Sequence, residues 1–309
     1  MDSMDNAKNI LKCEMCLNTS ETSKIIEYNG KNICIECYYS IKYPRDFKKM
    51  KKEIEYILKD KTGKNKTNSY DKTNDKNLNK KYNCILAFSG GKDSVVALYL
   101  LLKDFKVNPL CITVDNKYMS KGALKNCYNI TRYLNVDWIV LNRDYTELFK
   151  DSILRGESPC RRCSELIMRE IWKMAKMLNI DKIITGHELP FGTSPFKNLK
   201  DSITMIRLLT GYKLTDDDRY NILKELPWKD PELGGYTTNC LVLAPALREF
   251  HKKHGFSFEF NRVCAMVRYG LMDRKKAMEV LKCPDVPDEI YSELRRRGLD
   301  LKYYDNDKD

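Results

Sequence analysis

Short apolar runs of strand length alternate with longer runs of helical periodicity between residues 84 and 185. The apolar runs predict buried strands, and the periodic runs between them predict helices. The predicted strands are Cys84–Phe88, Pro109–Val114, Trp138–Leu141 and Lys182–Thr185. The predicted helices between them are Ser94–Leu102, Ala123–Leu134 and Ser164–Leu178. This alternation predicts an α/β fold with a doubly wound parallel sheet, in which ligands bind beyond the carboxyl ends of the strands.

The segments on either side of this alternation have different patterns. Asp46–Leu58 carries apolar residues at helical spacing and predicts a helix. The stretch 60–81 is almost entirely Lys, Asn, Asp and Thr, so we expect a flexible, basic linker there. Near the other end, Asp273 can cap a helix over Arg274–Leu281, and Pro287 can open another that reaches Arg297. The C-terminal region is therefore expected to be helical.

Composition narrows the class of protein. A chain of 309 residues, 42% hydrophobic and 32% charged, fits about two soluble domains. No apolar run is long enough to cross a bilayer, and the acidic, polar start is unlike a signal peptide, so we expect a cytoplasmic protein. The net charge of +12 favours polyanionic partners such as nucleic acid, although lysine-rich surfaces also arise without one.

The first four cysteines have metal-ligand spacing. Cys13-x2-Cys16 and Cys34-x2-Cys37 match a zinc ribbon, in which two knuckles hold one tetrahedral ion. In a reducing compartment paired spacings point to metal rather than to disulfides. Because four thiolates leave no open coordination position, the expected Zn²⁺ is structural.

A phosphate-binding turn follows the first predicted strand of the sheet. The sequence is Ser89-Gly90-Gly91-Lys92-Asp93-Ser94, and a helix follows at once. The glycines allow a tight turn whose N–H groups face an anion at the positive end of the helix. The serine hydroxyls and Lys92 would add donors and charge, and Asp93 could hold Mg²⁺.

This SGGKDS turn resembles the PP-loop of the ATP pyrophosphatase superfamily, which has the adenine nucleotide alpha hydrolase-like fold. The resemblance implies that ATP is cleaved between its α and β phosphates to adenylate a substrate oxygen, after which a nucleophile displaces AMP. Two further strand ends are candidates for nucleotide contacts. Asp115 ends the second strand, and His187 ends the fourth in a TGH similar to the start of a GHNxDD motif. The paired aspartates of that motif are missing here, and both residues also have structural interpretations.

A second cysteine set is expected on the same face. Cys160 and Cys163 precede the predicted helix Ser164–Leu178, and Cys240 is the expected third ligand, with Cys264 as the alternative. Three cysteines leave one iron of a 4Fe–4S cluster open to another ligand. This arrangement resembles the cluster-dependent tRNA thiolases of the superfamily, and the N-terminal ribbon is similar to that of their two-thiouridine branch. A persulfide-forming pair and a second structural zinc are the alternatives.

The resemblance implies a thiolase that inserts sulfur into a tRNA base, using ATP, Mg²⁺, Zn²⁺ and a 4Fe–4S cluster. Asp93, Lys92, Cys160, Cys163 and Cys240 would carry the catalysis, and the sulfur donor is unknown. Homodimers are common among similar enzymes. The expected segments are a ribbon with its helix (1–59), a linker (60–81), a PP-loop domain (82–250) and a helical extension (251–309).

Two other functions stay open at this point. Asp230–Gly235 and Val267–Ala277 resemble N-acetyl sugar amidotransferases, in which ammonia from a separate glutaminase displaces AMP. The segment around Gly270 could equally be a helix end with a glycine stop. In the third hypothesis the chain is an RNA-binding protein with a nucleotide-sensing loop.

Overall fold

The computed structural model describes residues 10–59, 81–187, 194–231 and 239–301. They form two compact units. The cysteine module consists of residues 10–46 and Glu259–Lys282, and the sheet unit consists of the other described residues. Apart from Lys81, the predicted linker 60–81 lies outside the described residues.

Helices and strands alternate through most of the described chain. The strands are β1 (Ile25–Tyr28), β2 (Lys31–Cys34), β3 (Cys84–Ala87), β4 (Pro109–Asp115), β5 (Trp138–Asn142), β6 (Lys182–Thr185), β7 (Phe196–Asn198) and β8 (Thr204–Arg207). The helices are α1 (Ile35–Lys42), α2 (Phe47–Lys59), α3 (Lys92–Leu100), α4 (Lys121–Tyr133), α5 (Thr146–Leu154), α6 (Pro159–Met177), α7 (Asp216–Lys224), α8 (Leu243–His254), α9 (Phe260–Arg268), α10 (Arg274–Val280) and α11 (Asp288–Arg296). A π-helical turn over Leu101–Phe105 extends α3, and a 3₁₀ turn over Leu208–Gly211 follows β8.

The sheet unit is built on six strands in the order β5-β4-β3-β6-β8-β7. Neighbouring strands are parallel except β7, which pairs antiparallel with β8. The chain adds β4 and β5 on one side of β3 and then returns to place β6 on the other side. This reversal creates a crevice at the carboxyl ends of β3 and β6, where ligands bind in open α/β sheets.

Alternate residues of β3 enter two different cores. Leu86 packs in a cluster with Val95 of α3 and Ile130 of α4. Its neighbour Ile85 packs in another cluster with Ile171 of α6. Because successive side chains of a strand point to opposite faces, helices cover both faces of the sheet. The predicted doubly wound α/β fold is confirmed.

Helix α6 begins earlier than its apolar periodicity predicts. The predicted start was Ser164, but the helix begins at Pro159, with Ser158 as N-cap. Proline is favoured at the first position of a helix because its missing N–H would have no partner there. Cys160 and Cys163 therefore lie within the first turns of α6, and the expectation that they precede the helix was wrong.

In the cysteine module, the hairpin β1–β2 and α1 pack against helices from the distant C-terminal region. Val263 and Val267 of α9 and Ala277 of α10 share one apolar cluster with Ile33 of β2. Arg274 strengthens this association, since its guanidinium donates to the carbonyl oxygen of Cys13 (3.0 Å) and to that of Cys16 (2.7 Å). Residues more than two hundred positions apart thus form one small core.

Helix α2 belongs to the sheet unit, although the sequence analysis grouped it with the ribbon. Its buried residues Ile54 and Leu58 pack in the cluster that contains Leu208 and Leu209. The helical C-terminal region is confirmed, and Asp273 caps α10 by accepting from the N–H of Lys276 (2.8 Å). Within the described residues, no helix combines the length and the apolar character needed to span a membrane.

Candidate active site

The phosphate loop connects β3 to α3 as a tight turn. Gly91 is the N-cap of α3, and the Ser94 hydroxyl donates to its carbonyl oxygen (2.9 Å). The Ser94 hydroxyl also accepts from the backbone N–H of Ser89 (3.3 Å). The first residue of the loop is thus tied to the first turn of the helix, whose N-terminus is the favourable end for a phosphate.

Gly90 occupies a position that no other residue fits. Its φ is +70°, and a Cβ would lie 2.2 Å from the carbonyl oxygen of Ala123 and 2.8 Å from Cys127 Sγ. Its own carbonyl oxygen accepts from Trp228 Nε1 (3.1 Å). The loop is therefore pressed against the start of α4, and glycine is required by both its backbone angle and the close approach.

Helix α7 supplies partners for the charged side chains of the loop. Lys92 Nζ donates to Asp216 Oδ1 (2.8 Å). The buried Arg219 lies with Nε 3.2 Å from Asp93 Oδ1 and with Nη1 3.5 Å from Asp216 Oδ1. The sequence analysis missed these partners. A helix-start signal was present, because Thr215 and Asp218 form a capping box, but its spatial relation to the loop was not encoded locally.

A cavity of about 360 Å³ lies at the carboxyl ends of β3, β4 and β6. Residues from six separate segments line it, and they include most of the predicted site. The predicted residues in its wall are Ser89, Asp93, Ser94, Cys160, Cys163, His187 and Cys240. The structure thus brings the phosphate loop and the second cysteine set to one cavity.

The predicted residues Gly90, Gly91, Lys92 and Asp115 are not part of the cavity wall. Asp115 instead accepts from the backbone N–H of Lys117 (3.0 Å), which closes a turn at the end of β4. The next residue, Asn116, faces the cavity. A role of Asp115 in nucleotide binding stays a prediction.

The Asn116 side chain contacts two of the predicted cluster ligands. Its Nδ2 lies 3.6 Å from Cys163 Sγ and 4.0 Å from Cys240 Sγ as a donor to both. Its Oδ1 accepts from the backbone N–H of Tyr118 (2.9 Å), which fixes which side of the amide faces the sulfurs. The sequence analysis missed Asn116. Asp115 and Asn116 are adjacent polar residues at the end of β4, and which of them faces the cavity depends on the hydrogen bonds that close the following turn.

Burial favours the neutral form of two thiols in the cavity wall, those of Cys163 and Cys240. Burial, together with the nearby Cys240, raises the pKa of Cys163 to about 12. Burial also raises the pKa of Cys240. Cys160 is exposed on the first turn of α6. A positively charged group such as an iron cluster would favour the thiolate form of these residues, so the donor set fits soft-metal ligation.

Burial also favours the neutral form of the His187 imidazole. Burial lowers its pKa, and the charge of Arg207 lowers it further. Its Nδ1 lies within hydrogen-bonding distance of Thr185 Oγ1 (2.9 Å). The motif residues after it lie outside the described residues. Gly186 makes a close approach here, since a Cβ would lie 3.0 Å from backbone atoms of Asp93 and Ser94.

The four N-terminal cysteines form a compact buried cluster in the cysteine module. The sulfurs of Cys13, Cys16, Cys34 and Cys37 all lie within 4.8 Å of one another. Hydrogen bonds with Cys16 and Cys34 hold the pKa of Cys37 above its usual value. Four packed sulfurs that cannot ionise independently fit a tetrahedral metal ion, which stabilises all four thiolates at once.

Arg268 is a cation beside this cluster. Its Nε donates to Cys37 Sγ (3.3 Å), and its Nη2 lies 4.0 Å from Cys16 Sγ. Helix α9 ends at Arg268, and Gly270 follows with φ +67°, which agrees with the alternative interpretation of this segment as a helix end with a glycine stop. Arg268 and Arg274 both belong to the segment that resembles the amidotransferases, and in this structure both contact the cysteine cluster or its backbone.

The remaining cysteines have other surroundings. Cys84, Cys111 and Cys127 are buried in the apolar cores, as expected, and Cys283 is exposed. Cys264 lies in the cysteine module, where its thiol donates to Asn18 Oδ1 (3.5 Å). Cys240 lines the cavity with Cys160 and Cys163, and its role as third cluster ligand stays a prediction.

The fold and the phosphate loop together define the class of this protein. A parallel sheet whose central strand enters SGGKDS and then a helix is that of the PP-loop ATP pyrophosphatase superfamily, with the adenine nucleotide alpha hydrolase-like fold. The chain is 55% identical over 291 residues to the uncharacterized protein MJ1599 of Methanocaldococcus jannaschii, covering 94% of this chain and 100% of that one. It belongs to the same family as MJ1599.

More distant relatives have assigned activities. The tRNA-cytidine(32) 2-sulfurtransferase of Azotobacter vinelandii is 27% identical over 192 residues, which cover 55% of this chain and 70% of that enzyme. Among solved structures, the U34-tRNA thiolase NcsA of Methanococcus maripaludis, solved with its 4Fe–4S cluster, is 15% identical with a TM-score of 0.38, over 89% of this chain and 90% of that one. The chain matches no family model.

Proposed function

We propose that the protein is an ATP-dependent enzyme that adenylates an oxygen of a tRNA base and then replaces that oxygen with sulfur. The observation that carries this proposal is the single cavity whose wall contains both the phosphate loop and three cysteines. Sulfurtransferase relatives that act on tRNA support the same chemistry. The net charge of +12 suits a polyanionic substrate.

In the first step, the base oxygen attacks the α-phosphorus of ATP and pyrophosphate leaves. Ser89, Ser94 and the N-terminus of α3 would hold the phosphates, and Lys92 would exchange Asp216 for a phosphate oxygen. Asp93, which lies 3.2 Å from Arg219 Nε, faces the cavity and would hold Mg²⁺ there. Fixed donors placed where charge develops lower the barrier without reorganisation.

In the second step, sulfur attacks the activated carbon of the base and AMP leaves with the original oxygen. Cys160, Cys163 and Cys240 would hold a 4Fe–4S cluster, which supplies an iron position for the incoming sulfur. Asn116 would orient two of these ligands from the strand end. Cys163 is buried, and its part of the wall would limit hydrolysis of the adenylated base by water.

The four cysteines of the N-terminal cluster would hold a structural Zn²⁺. All four are fully buried, so water has no route to an open coordination position. Arg268 would offset part of the negative charge of four thiolates around a divalent ion. This metal would stabilise the cysteine module and take no part in the reaction.

The adenylation step is tested by the Asp93→Asn variant. We expect it to lose ATP–pyrophosphate exchange in the presence of tRNA by about 100–1000-fold, because the variant keeps the shape of the side chain but loses its charge. Asp217→Asn is the matched control, since Asp217 is exposed on α7 next to Asp216. Full exchange in the Asp93→Asn variant, with normal thermal stability, would contradict the proposed role of the loop.

The cluster site is tested by the Asn116→Asp variant. The substitution keeps the oxygen that accepts from Tyr118 but replaces the donor that faces Cys163 and Cys240 with an anionic oxygen. After anaerobic reconstitution we expect iron affinity to fall about 10–100-fold, as for other groups that hold metal ligands in place. The exposed Asn135→Asp is the control. Equal iron content and an unchanged reduction potential in Asn116→Asp would contradict the proposed role of Asn116 in orienting the cluster ligands.

The amidotransferase alternative has less support. Asp230–Gly235, which resembles that branch, lies mostly outside the described residues, and Val267–Ala277 packs within the cysteine module. Thiolation and amidation are distinguished by supplying either sulfide or ammonia with ATP and measuring the mass of the product by mass spectrometry. A nitrogen-containing product from a sugar would overturn thiolation.

A further inference from the structure

Helix α4 carries a stripe of cations on its solvent-exposed face. Lys121, Lys125, Tyr128 and Arg132 are spaced at i, i+4, i+7 and i+11, and all four are exposed. This spacing places them on one face of the helix. We call these residues the α4 stripe, and its length is about 16 Å at 1.5 Å per residue.

The charge of the α4 stripe is not neutralised within the described part of the chain. The helix sequence, KGALKNCYNITRY, contains no acidic residue. Lys121, Lys125 and Arg132 form no ion pair with any residue that the structure describes. By contrast, Lys173 and Lys176 on α6 pair with Glu170 and Asp201, and Lys252 on α8 pairs with Glu249.

The α4 stripe begins beside the candidate active site. Met119, two residues before Lys121, lines the cavity and forms a bridge with Cys240. The N-cap residue of α4, Ser120, donates its backbone N–H to the carbonyl oxygen of Asn239, which also lines the cavity. A linear ligand that lies along the α4 stripe therefore reaches the cavity at the N-terminal end of the helix.

We propose that the α4 stripe binds the sugar–phosphate backbone of the RNA substrate and guides it to the cavity. The inference rests on the proposed function, since it assigns the surface that holds the substrate. Three cations with no acidic neighbour on the helix complement a polyanion, and Tyr128, 54% exposed between two of them, offers a ring on which a base can stack.

Two other occupants fit this surface poorly. The apolar face of α4, with Ile130 and Cys127, is buried in the core, so the helix has no apolar face to insert into a lipid surface. A second copy of the chain would place like charges opposite each other across a symmetric contact. RNA meets neither objection.

The test compares binding of an unmodified tRNA transcript over a range of salt concentrations. The stripe variant is Lys121→Gln/Lys125→Gln/Arg132→Gln, and the matched control removes three paired cations, as Lys173→Gln/Lys176→Gln/Lys252→Gln. We expect the stripe variant to bind tRNA about 10–100-fold more weakly. The plot of log association constant against log salt concentration should become less steep, its negative slope decreasing in magnitude by about two to three. The control should change both quantities little.

A charge-preserving variant guards against a folding effect. Lys121→Arg/Lys125→Arg/Arg132→Lys should bind tRNA like the unmodified protein, and ATP affinity should be the same in all variants. Equal losses of tRNA affinity in the stripe variant and the control would overturn the inference. They would indicate that the overall positive charge of the protein attracts the RNA. If the unmodified protein does not bind tRNA, the proposed substrate class fails; if it binds and the stripe variant keeps the full salt slope, only the inference about α4 fails.

Discussion

The Gly90→Ala variant should bind ATP at least about 100-fold more weakly than the unmodified protein, whereas Gly255→Ala should bind it normally. Both glycines have a similar backbone angle, +70° at Gly90 and +77° at Gly255, so the strain of a left-handed alanine is about equal, at ~1–2 kcal/mol. The surroundings differ. A Cβ at Gly90 would lie 2.2 Å from a backbone oxygen, while nothing lies within 4 Å of one at Gly255.

Backbone cannot rotate away as a side chain can, so Gly90→Ala has to displace either the loop or the start of α4. Either movement spoils the alignment of donors that hold the phosphates. ATP affinity by calorimetry and the midpoint of thermal unfolding together distinguish the two variants. Normal ATP affinity in Gly90→Ala would mean that the nucleotide binds elsewhere.

Removing the Zn²⁺ that we propose for the four N-terminal cysteines should unfold the cysteine module and leave the sheet unit folded. Structural zinc contributes about 10–16 kcal/mol in small zinc domains, far more than the small core of this module is expected to provide. The unfolding should include α9 and α10, because Arg274 binds the carbonyl oxygens of both Cys13 and Cys16 and Val263 packs in the same core.

Hydrogen exchange on the intact chain measures this directly. After chelation, peptides from β1–β2 and from α9 should lose protection together, while peptides from β3 and β4 serve as an internal reference. The Cys37→Ser variant should behave like the chelated protein, and Cys283→Ser, which changes an exposed thiol, should not. Retained protection in α9 after metal loss would show that these helices fold without the cluster.

The extent of sequence-based prediction can be judged at particular residues. Lys182–Thr185 was predicted with the bounds that the structure has, because a short apolar run between turns depends only on local pattern. The start of α6 was missed because its first turn carries polar residues and cysteines instead of the apolar repeat. The helices α7 and α9 were not predicted, and they supply Arg219 and Arg268.

The site shows the same division. Spacing alone identified the SGGKDS turn and the four ribbon cysteines, since tight turns and metal knuckles are formed by neighbouring residues. Spacing did not show whether Asp115 or Asn116 faces the site. In the structure Asp115 accepts from the backbone N–H of Lys117, and Asn116 faces the sulfurs. Nor did spacing indicate that Arg219 holds Asp93, since the two residues meet only when α7 packs beside α3.

The sequence by itself determined the chemistry that each short segment carries: a phosphate turn after a buried strand, two cysteine knuckles, and a CxxC with a distant third cysteine. These properties depend on residues within one turn of each other or on residue type alone. Only the tertiary structure decided which of them share a site. The strand order places the ends of β3, β4 and β6 together, and hydrophobic packing of distant helices then sets the partners of each charged or sulfur-bearing side chain.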